Sequence, residues 1–401
     1  MQYSDFSTAE FYENPYRLYD EMRRAGPLVK LSPGLFVTGR YAVADRLVTD
    51  PRFGKGVEAS VRARYGDSAI DQPVFRFAYQ MLLSLNPPKH TRLRSLLMKS
   101  FNARQIERFR QVSQDISNRL ADAVEQKGQA DLVRDFTFPL PIQIICTILE
   151  IPLEDGKLFR QAADDLTKVL DVGKMNPEQL EQGNRSALEL ERYFSALLEK
   201  RRRNTGDDLL SQMIAAEEAG QHLTDEEIVA NLILLFVAGH ETTTNMIGNS
   251  LISLHRFPDQ LRLAIANPDR LPNVVKECMR YETSVQSFMR VALEDTQAEG
   301  TSISRGDVVF VWAGAANRDP EMFDDPDTLK VDRSFKDIKT LSFGGGPHFC
   351  LGARLATMQI EAALSTLFTR MPDMRIANLN DLHWHQRAQL RGVESLIVDR
   401  S

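Results

Sequence analysis

Residues 343–356 read FGGGPHFCLGARLA. Three consecutive glycines and a proline lead to Cys350, and a helix-forming stretch follows. The chain holds three cysteines, Cys146, Cys278 and Cys350, and only this one stands behind a loop so poor in side chains. A phosphate cradle would end in Gly-Lys-Ser/Thr, whereas the helix here begins Leu351-Gly352-Ala353-Arg354. A cysteine nucleophile needs a base. His348 is two residues away, but near neighbours along a chain seldom face each other, and nucleophile–base pairs usually come from distant segments. A buried structural cysteine is the default for an isolated thiol, yet it gives no reason for Phe343, Gly344, Gly346, His348 and Gly352 to surround it.

A haem-thiolate ligand accounts for the whole stretch. The sulfur has to approach an iron closely, so the backbone around it must be thin, and glycine supplies both clearance and unusual torsions. A cysteine just before a helix is stabilised as thiolate by the helix dipole and the free amides of the first turn. Those amides also draw electron density from the sulfur and tune the metal's potential. His348, on the same loop, is placed to reach a haem propionate.

The rest of the chain bounds this reading. Its 401 residues, 43% hydrophobic and 26% charged, can bury a large core. Length alone would allow two or three domains, but there are no repeats, no low-complexity linker and no break in composition, so one domain over 1–401 is expected. A net charge of −6 speaks against bulk nucleic-acid binding. The basic run at 200–203 reads as a solvated helix face. Sparse, widely separated cysteines in odd number are no disulfide framework and suit a reducing cytoplasm; the lack of a CxxC pair speaks against structural zinc. The first 22 residues carry neither a basic nor an apolar leader segment. The longest apolar stretch, 228–239, contains Asn231 and is too short for a membrane span. A soluble, cytoplasmic, monomeric protein is expected.

Periodicity indicates a mainly α chain with small β-sheets (α+β). Asn14-Pro15 opens a helix over 16–24, and 28–31 and 35–38 flank the turn Ser32-Pro33-Gly34 as a hairpin. A helix follows Pro87-Pro88, and helical patterns fill 104–126, 140–149, 154–170, 177–203 and 207–218. Thr224, followed by Asp225-Glu226-Glu227, caps a long helix running to about 256. Another covers 271–281. Strands are expected near 289–293 and 308–311, a helix over 353–369, and small hairpins in the tail, 374–398.

Phe-Gly-x-Gly-x-His-x-Cys-x-Gly, matched at every fixed position by Phe343, Gly344, Gly346, His348, Cys350 and Gly352, resembles the cysteine-ligand loop of the cytochrome P450 family. Three further segments fit. Ala238-Gly239-His240-Glu241-Thr242-Thr243-Thr244 interrupts an apolar helix with an acid and hydroxyls, and buried polar groups need partners or a task. The family's oxygen-activating helix has Ala-Gly-x-Asp/Glu-Thr here. By that resemblance Glu241 and Thr242 form the acid–alcohol pair that delivers protons for dioxygen cleavage, while Ala238 and Gly239 leave room for oxygen and substrate. Thr243 is then a helper and His240 a structural residue. Glu277 and Arg280 form an i, i+3 pair and match Glu-x-x-Arg, which ties its helix to the segment before the cysteine; Cys278 between them is a buried spectator. His90 and Arg94 put two cations at a helix start, against its dipole, so a bound anion is expected. The resemblance assigns them, with Arg290 and His348, to the propionates of haem b, and Arg92 points elsewhere.

The resemblance covers nearly the whole chain. It is nearest to bacterial soluble enzymes of macrolide and polyketide biosynthesis and of the biotin pathway. It implies the P450 fold, with haem between the long helix and the cysteine-loop helix, and a monooxygenase that hydroxylates or epoxidises a hydrophobic small molecule with dioxygen. A polyketide, macrolide or terpenoid is the first reading of the substrate, and a fatty or carrier-bound acyl chain the second. A haem-binding sensor is the rival of another class, which would have no use for Glu241 and Thr242. Electrons must come from a ferredoxin or flavodoxin with its NAD(P)H reductase, since no flavin or iron–sulfur motif is present. Lys89, Arg92, Lys99, Arg104 and Arg354 suggest a basic docking face. Candidate pocket residues are Met81 and Leu82 within 54–83, the stretch 169–175, Leu235, Val285 and Phe288 within 285–288, and Leu390 beside Gln389. Two departures stand out. Thr283-Ser284 replaces the branch's frequent Ser-Pro, and Asn86 replaces the commoner Asp before the prolines, a change taken as neutral.

Overall fold

The computed structural model describes every residue except 77, 102, 171–173, 219, 335, 337, 400 and 401. The chain forms two compact units. One comprises Met1–Gly54, Ser113–Leu140 and Thr242–Ser401, and the other Lys55–Val112 and Pro141–Glu241.

In the first unit the strands Val29–Ser32, Leu35–Thr38, Val308–Trp312, Ser287–Ala292 and Phe53–Gly54 lie side by side in that order. The 308–312 strand runs parallel to 35–38 and antiparallel to 287–292, in a register that sets Val309 opposite Arg290 and Val311 opposite Phe288. Because side chains alternate along a strand, Phe288 and Arg290 share one face. The sheet packs with Val43, Ala44, Leu47 and Val48 of the helix Tyr41–Thr49 in one buried cluster. The expected tail hairpins are only partly local. Ile397–Asp399 pairs with Arg375–Ile376 on one side and with Gln129–Asp131 on the other, so most of its hydrogen bonds go far along the chain.

The second unit is helical. Asn176 accepts the amide of Gln179 while the Gln179 side chain accepts that of Asn176, a reciprocal cap that fixes the start of Pro177–Arg203. Phe159 of the helix Gly156–Leu170 stacks on Phe236, ring centroids 4.1 Å apart, with Phe194 against both. The helix expected over 207–218 is confined to Leu209–Ala215. Asp208 is its cap, its side chain accepting from the amides of Leu210 and Ser211, and Ala216 is extended, leading into a two-residue hairpin (217–218 with 221–222) around a positive-φ Gly220.

The long helix Asp225–Arg256 contributes residues to both units. Thr224 and Glu227 cap it reciprocally, at 3.2 Å and 3.0 Å. Among the described residues no helix is long and apolar enough to cross a membrane.

Candidate active site

In the first unit the cysteine loop is closed by its own backbone. The Gly344 amide donates to the Leu341 carbonyl at 2.8 Å, Phe349 to Gly346 at 3.1 Å, and Cys350 to Phe343 at 3.0 Å. Gly344 and Gly346 hold φ of 69° and 62°, the left-handed region that favours glycine. Two glycines of the loop also lie close against another part of the first unit. A Cβ on Gly346 would lie 2.3 Å from the Val48 carbonyl oxygen, and one on Gly345 2.6 Å from Val48 Cγ2. They let the loop dock against the end of the Tyr41–Thr49 helix. Gly352 is the one beside the sulfur, its Cβ position 4.0 Å from Cys350 Sγ. The helix Ala353–Arg370 begins immediately after.

The three cysteines divide by environment. Cys146 and Cys278 are fully buried; burial pushes the Cys146 thiol up to about 12 and that of Cys278 higher still. Cys350 is half-buried. The other two are therefore held as thiols at neutral pH, and Cys278 is a spectator as expected.

Glu277 and Arg280 are wholly buried and meet through two parallel bonds of 2.8 Å. Arg280 also donates to the carbonyls of Asn317, Pro326 and Thr328, while Glu277 accepts from the Lys330 amide and from Arg333. Asn317 then passes the order on: its side chain accepts the Leu341 amide at 2.8 Å and donates to Ser342 Oγ at 3.0 Å, just before the cysteine loop. The pair thus reaches that loop as the sequence implied. Asn317 and Arg333 were missed; the "NRDP" run at 317–320 was the available signal.

Arg290 is 2% exposed. Among the described residues its Nη1 donates to the adjacent Met289 carbonyl and its Nε has no partner, and burial lowers its pKa to about 10. A guanidinium taken out of water without a carboxylate is costly unless an anion joins it.

In the second unit His90 and Arg94 lie on the helix Lys89–Ser100. His90 is 1% exposed, and burial, followed by the charges of Arg94 and Lys55, lowers its pKa. Three basic groups therefore stand close together around one helix start. Asn86 fixes it: its Oδ1 accepts the Lys55 amide at 2.7 Å and its Nδ2 donates to the Lys55 carbonyl at 2.8 Å. An aspartate could not make the second bond, so this departure is not neutral. Arg92 pairs with Glu227 and bonds the His222 carbonyl, as its expected separate direction requires.

Along the long helix the side chains sort by face. Phe236, Val237, His240, Thr243 and Thr244 are buried, and Thr244 donates to the Thr137 carbonyl at 3.1 Å. Leu235, Ala238, Gly239, Glu241 and Thr242 are half-buried. The spacing 235, 238, 239, 242 is one helical stripe, carrying apolar, small and hydroxyl groups in turn. Thr243, expected as a helper, is packed on the buried side.

The pocket candidates separate too. Val285 and Leu390 form an antiparallel bridge, both half-buried, and Phe288 lies 3.7 Å from the Cβ position of Gly344. Met81 and Leu82 are buried, with the Leu82 amide bonded to Asn231 at 3.0 Å, so packing already occupies them. Of 169–175, residues 171–173 lie outside those described, as do the side chains of Val169 and Leu170.

No group of three His, Cys, Asp or Glu side chains among the described residues could hold a metal ion. Taken unit by unit, a cysteine just before a helix and a buried arginine without a carboxylate in the first, and two basic side chains at a helix start in the second, are the kinds of group that suit haem b, an iron macrocycle with two carboxylates.

These features define a haem-thiolate oxygenase. Residues 58–263 and 265–371 match the sequence profile of the family described as Cytochrome P450. The chain is 46% identical over 399 residues to the putative cytochrome P450 133B2 of Xylella fastidiosa, covering 100% of both. It is 36% identical over 402 residues to the biotin biosynthesis cytochrome P450 of Bacillus subtilis, covering 98% of each. Among solved structures it is similar to P450BioI in complex with hexadec-9Z-enoic acid ligated acyl carrier protein, with a TM-score of 0.90, 34% identity, and 99% of this chain and 100% of that one covered. The chain belongs to the cytochrome P450 family; it is a haem b-dependent monooxygenase that uses dioxygen and electrons from redox partners.

Proposed function

We propose that Cys350 Sγ is the iron's protein ligand, that His90, Arg94, Arg290 and His348 hold the propionates, and that Glu241 and Thr242 deliver protons, in a hydroxylase or epoxidase of a hydrophobic secondary metabolite. The observation that carries this is the half-buried stripe of Leu235, Ala238, Gly239 and Thr242 on a helix that between 228 and 254 is otherwise buried except at Leu234 and Glu241. Bound there, haem supplies the activation of dioxygen. Cys350 donates electron density to the iron. Thr242 donates a hydrogen bond from its hydroxyl, and Glu241, one residue earlier, replenishes that proton from solvent. Phe343, Gly344 and Gly352 shape the loop on which the sulfur stands, while Glu277 and Arg280 hold that loop in place.

Val285, Phe288, Leu235 and Leu390 are read as pocket residues, as are Met81 and Leu82, and the whole chain, 1–401, as one catalytic module. A polyketide, macrolide or terpenoid suits this apolar lining. The second reading, a carrier-bound acyl chain, is favoured by the similarity to P450BioI, whose structure holds an acyl carrier protein. Electrons are proposed to come from an acidic ferredoxin or flavodoxin with its NAD(P)H reductase. Lys89 and Lys99 on one helix, and Arg354 after the cysteine loop, would meet it, whereas Arg92 is committed to Glu227. The side chain of Arg104 lies outside the described ones.

Thr242→Ala tests the proton pair. With a surrogate reductase and a substrate found by its spectral shift, electron consumption should continue while product per electron falls by about tenfold or more and peroxide accumulates. Unchanged coupling would remove Thr242 from the proton path. Titration with a macrolide, a terpenoid, a free fatty acid and an acyl carrier protein conjugate separates the two substrate readings.

A further inference from the structure

Glu282 is a buried carboxylate outside the haem machinery. It accepts from the Tyr16 hydroxyl at 2.5 Å and from Arg391 Nε at 2.8 Å, and Arg318 Nη2 stands 3.8 Å away. The Arg318 guanidinium lies between two rings, 3.4 Å from the centroid of Tyr16 and 3.7 Å from that of Tyr281. The Arg391 guanidinium lies 3.5 Å from the Trp384 centroid and also donates to the carbonyls of Tyr12 and Glu13. Every charge here is countered and every planar group stacked, which makes the cluster rigid.

Its location gives that rigidity a use. Glu282 precedes the turn that carries Val285, and Arg391 follows Leu390 directly. Between them the Arg391 amide donates to the Ser284 carbonyl and the Gln286 amide to the Gln389 carbonyl, each at 2.8 Å, on either side of the Val285–Leu390 bridge. Gln286 is pinned in turn by the Tyr19 hydroxyl at 2.7 Å. Asn249 donates to the carbonyls of both Glu282 and Arg391, at 3.3 Å and 3.0 Å. A proline at 284 would have stiffened this turn through its ring; with Ser284 the stiffness comes from the side chains that grip both ends.

We infer that the Tyr16–Glu282–Arg391 cluster is a positioning device for ligand selectivity: it sets how Val285 and Leu390 stand against each other, and so which bulky apolar ligands the pocket accepts. This rests on the assignment of Val285 and Leu390 to the pocket wall. Tyr16, far away in sequence, becomes a selectivity residue through them.

The test is an optical titration of the haem-loaded protein with two iron-binding probes. Imidazole reports the iron alone, whereas the phenyl group of 4-phenylimidazole must also fit against the pocket wall. Tyr16→Phe removes one hydrogen bond and little volume, and Arg391→Lys keeps the charge but loses the fork. Both should leave the imidazole Kd within about twofold and shift the 4-phenylimidazole Kd, in the same direction, by about fivefold, equivalent to about 1 kcal/mol. Arg370→Gln breaks the ion pairs with Asp122 and Glu125 and serves as the control for plain destabilisation; it should lower Tm and move neither Kd. If Val285→Ala and Leu390→Ala leave the 4-phenylimidazole Kd unchanged, the pocket assignment fails and takes the inference with it. If those two shift it and Tyr16→Phe does not, the cluster is merely structural and the inference alone is overturned. Should Arg391→Lys fail to load haem, Tyr16→Phe decides.

Discussion

The residue that most sharply separates a haem site from a packed core is Arg290. A buried arginine normally keeps its place through a carboxylate, as Arg280 does with Glu277. Arg290 has no such partner among the described residues, and burial lowers its pKa to about 10. On the proposed assignment to a propionate its charge is a liability without the cofactor and an asset with it, so Arg290→Leu should have effects of opposite sign. The apoprotein should gain stability, by about 1 kcal/mol or more, because a poorly compensated buried charge is replaced by an apolar side chain. Haem affinity should fall. Thermal unfolding of the apoprotein and haem transfer to a competing acceptor measure the two; a variant that lowers apo Tm would show that Arg290 serves packing rather than a propionate. This residue was legible from the family resemblance but not from its surroundings in sequence, since nothing in "SFMRVA" announces a buried cation.

At the scale of elements, the helices were largely written in the sequence because their signals are local. Thr224 with Glu227, and Asn176 with Gln179, cap as the residue types require, and 177–203 and 271–281 fall where periodicity put them. What failed were features decided by distant partners. The strand Ile397–Asp399 takes part of its ladder from 129–131. The close packing of Gly345 and Gly346 of the cysteine loop against Val48 likewise comes from hundreds of residues away. One such distant contact gives a prediction about acid stability. Asp165 on the helix Gly156–Leu170 is buried, which by itself raises its pKa, yet bonds from Ser186, Gln182 and Gln161 and the charge of Lys168 outweigh this and hold it below the ordinary value of 3.8. The stability it contributes is therefore full above that value and is lost as pH falls through its lowered pKa. Asp165→Asn should be less stable than the wild type at pH ~7, and the gap should narrow as the pH approaches ~3. Urea unfolding of the apoprotein across that range checks it; a gap that stays constant would mean the carboxylate is not held ionised by these bonds.

For the whole molecule, family membership is carried by residues from end to end of the chain: the 58–371 span that matches the profile, and relatives aligned over nearly all 401 residues. The proposed chemistry converges on one atom, Cys350 Sγ. Burial holds the other two cysteines as thiols, and the loop that carries Cys350 is set by Val48, Asn317 and the Glu277–Arg280 pair. The measurement that tests this most directly is the absorption spectrum of the reduced, carbon monoxide-bound protein, recorded beside Cys350→Ser. The account predicts a strongly red-shifted Soret band in the wild type that disappears in the variant. An ordinary haem–carbon monoxide band in the wild type, or a red-shifted band that survives in Cys350→Ser, would contradict it.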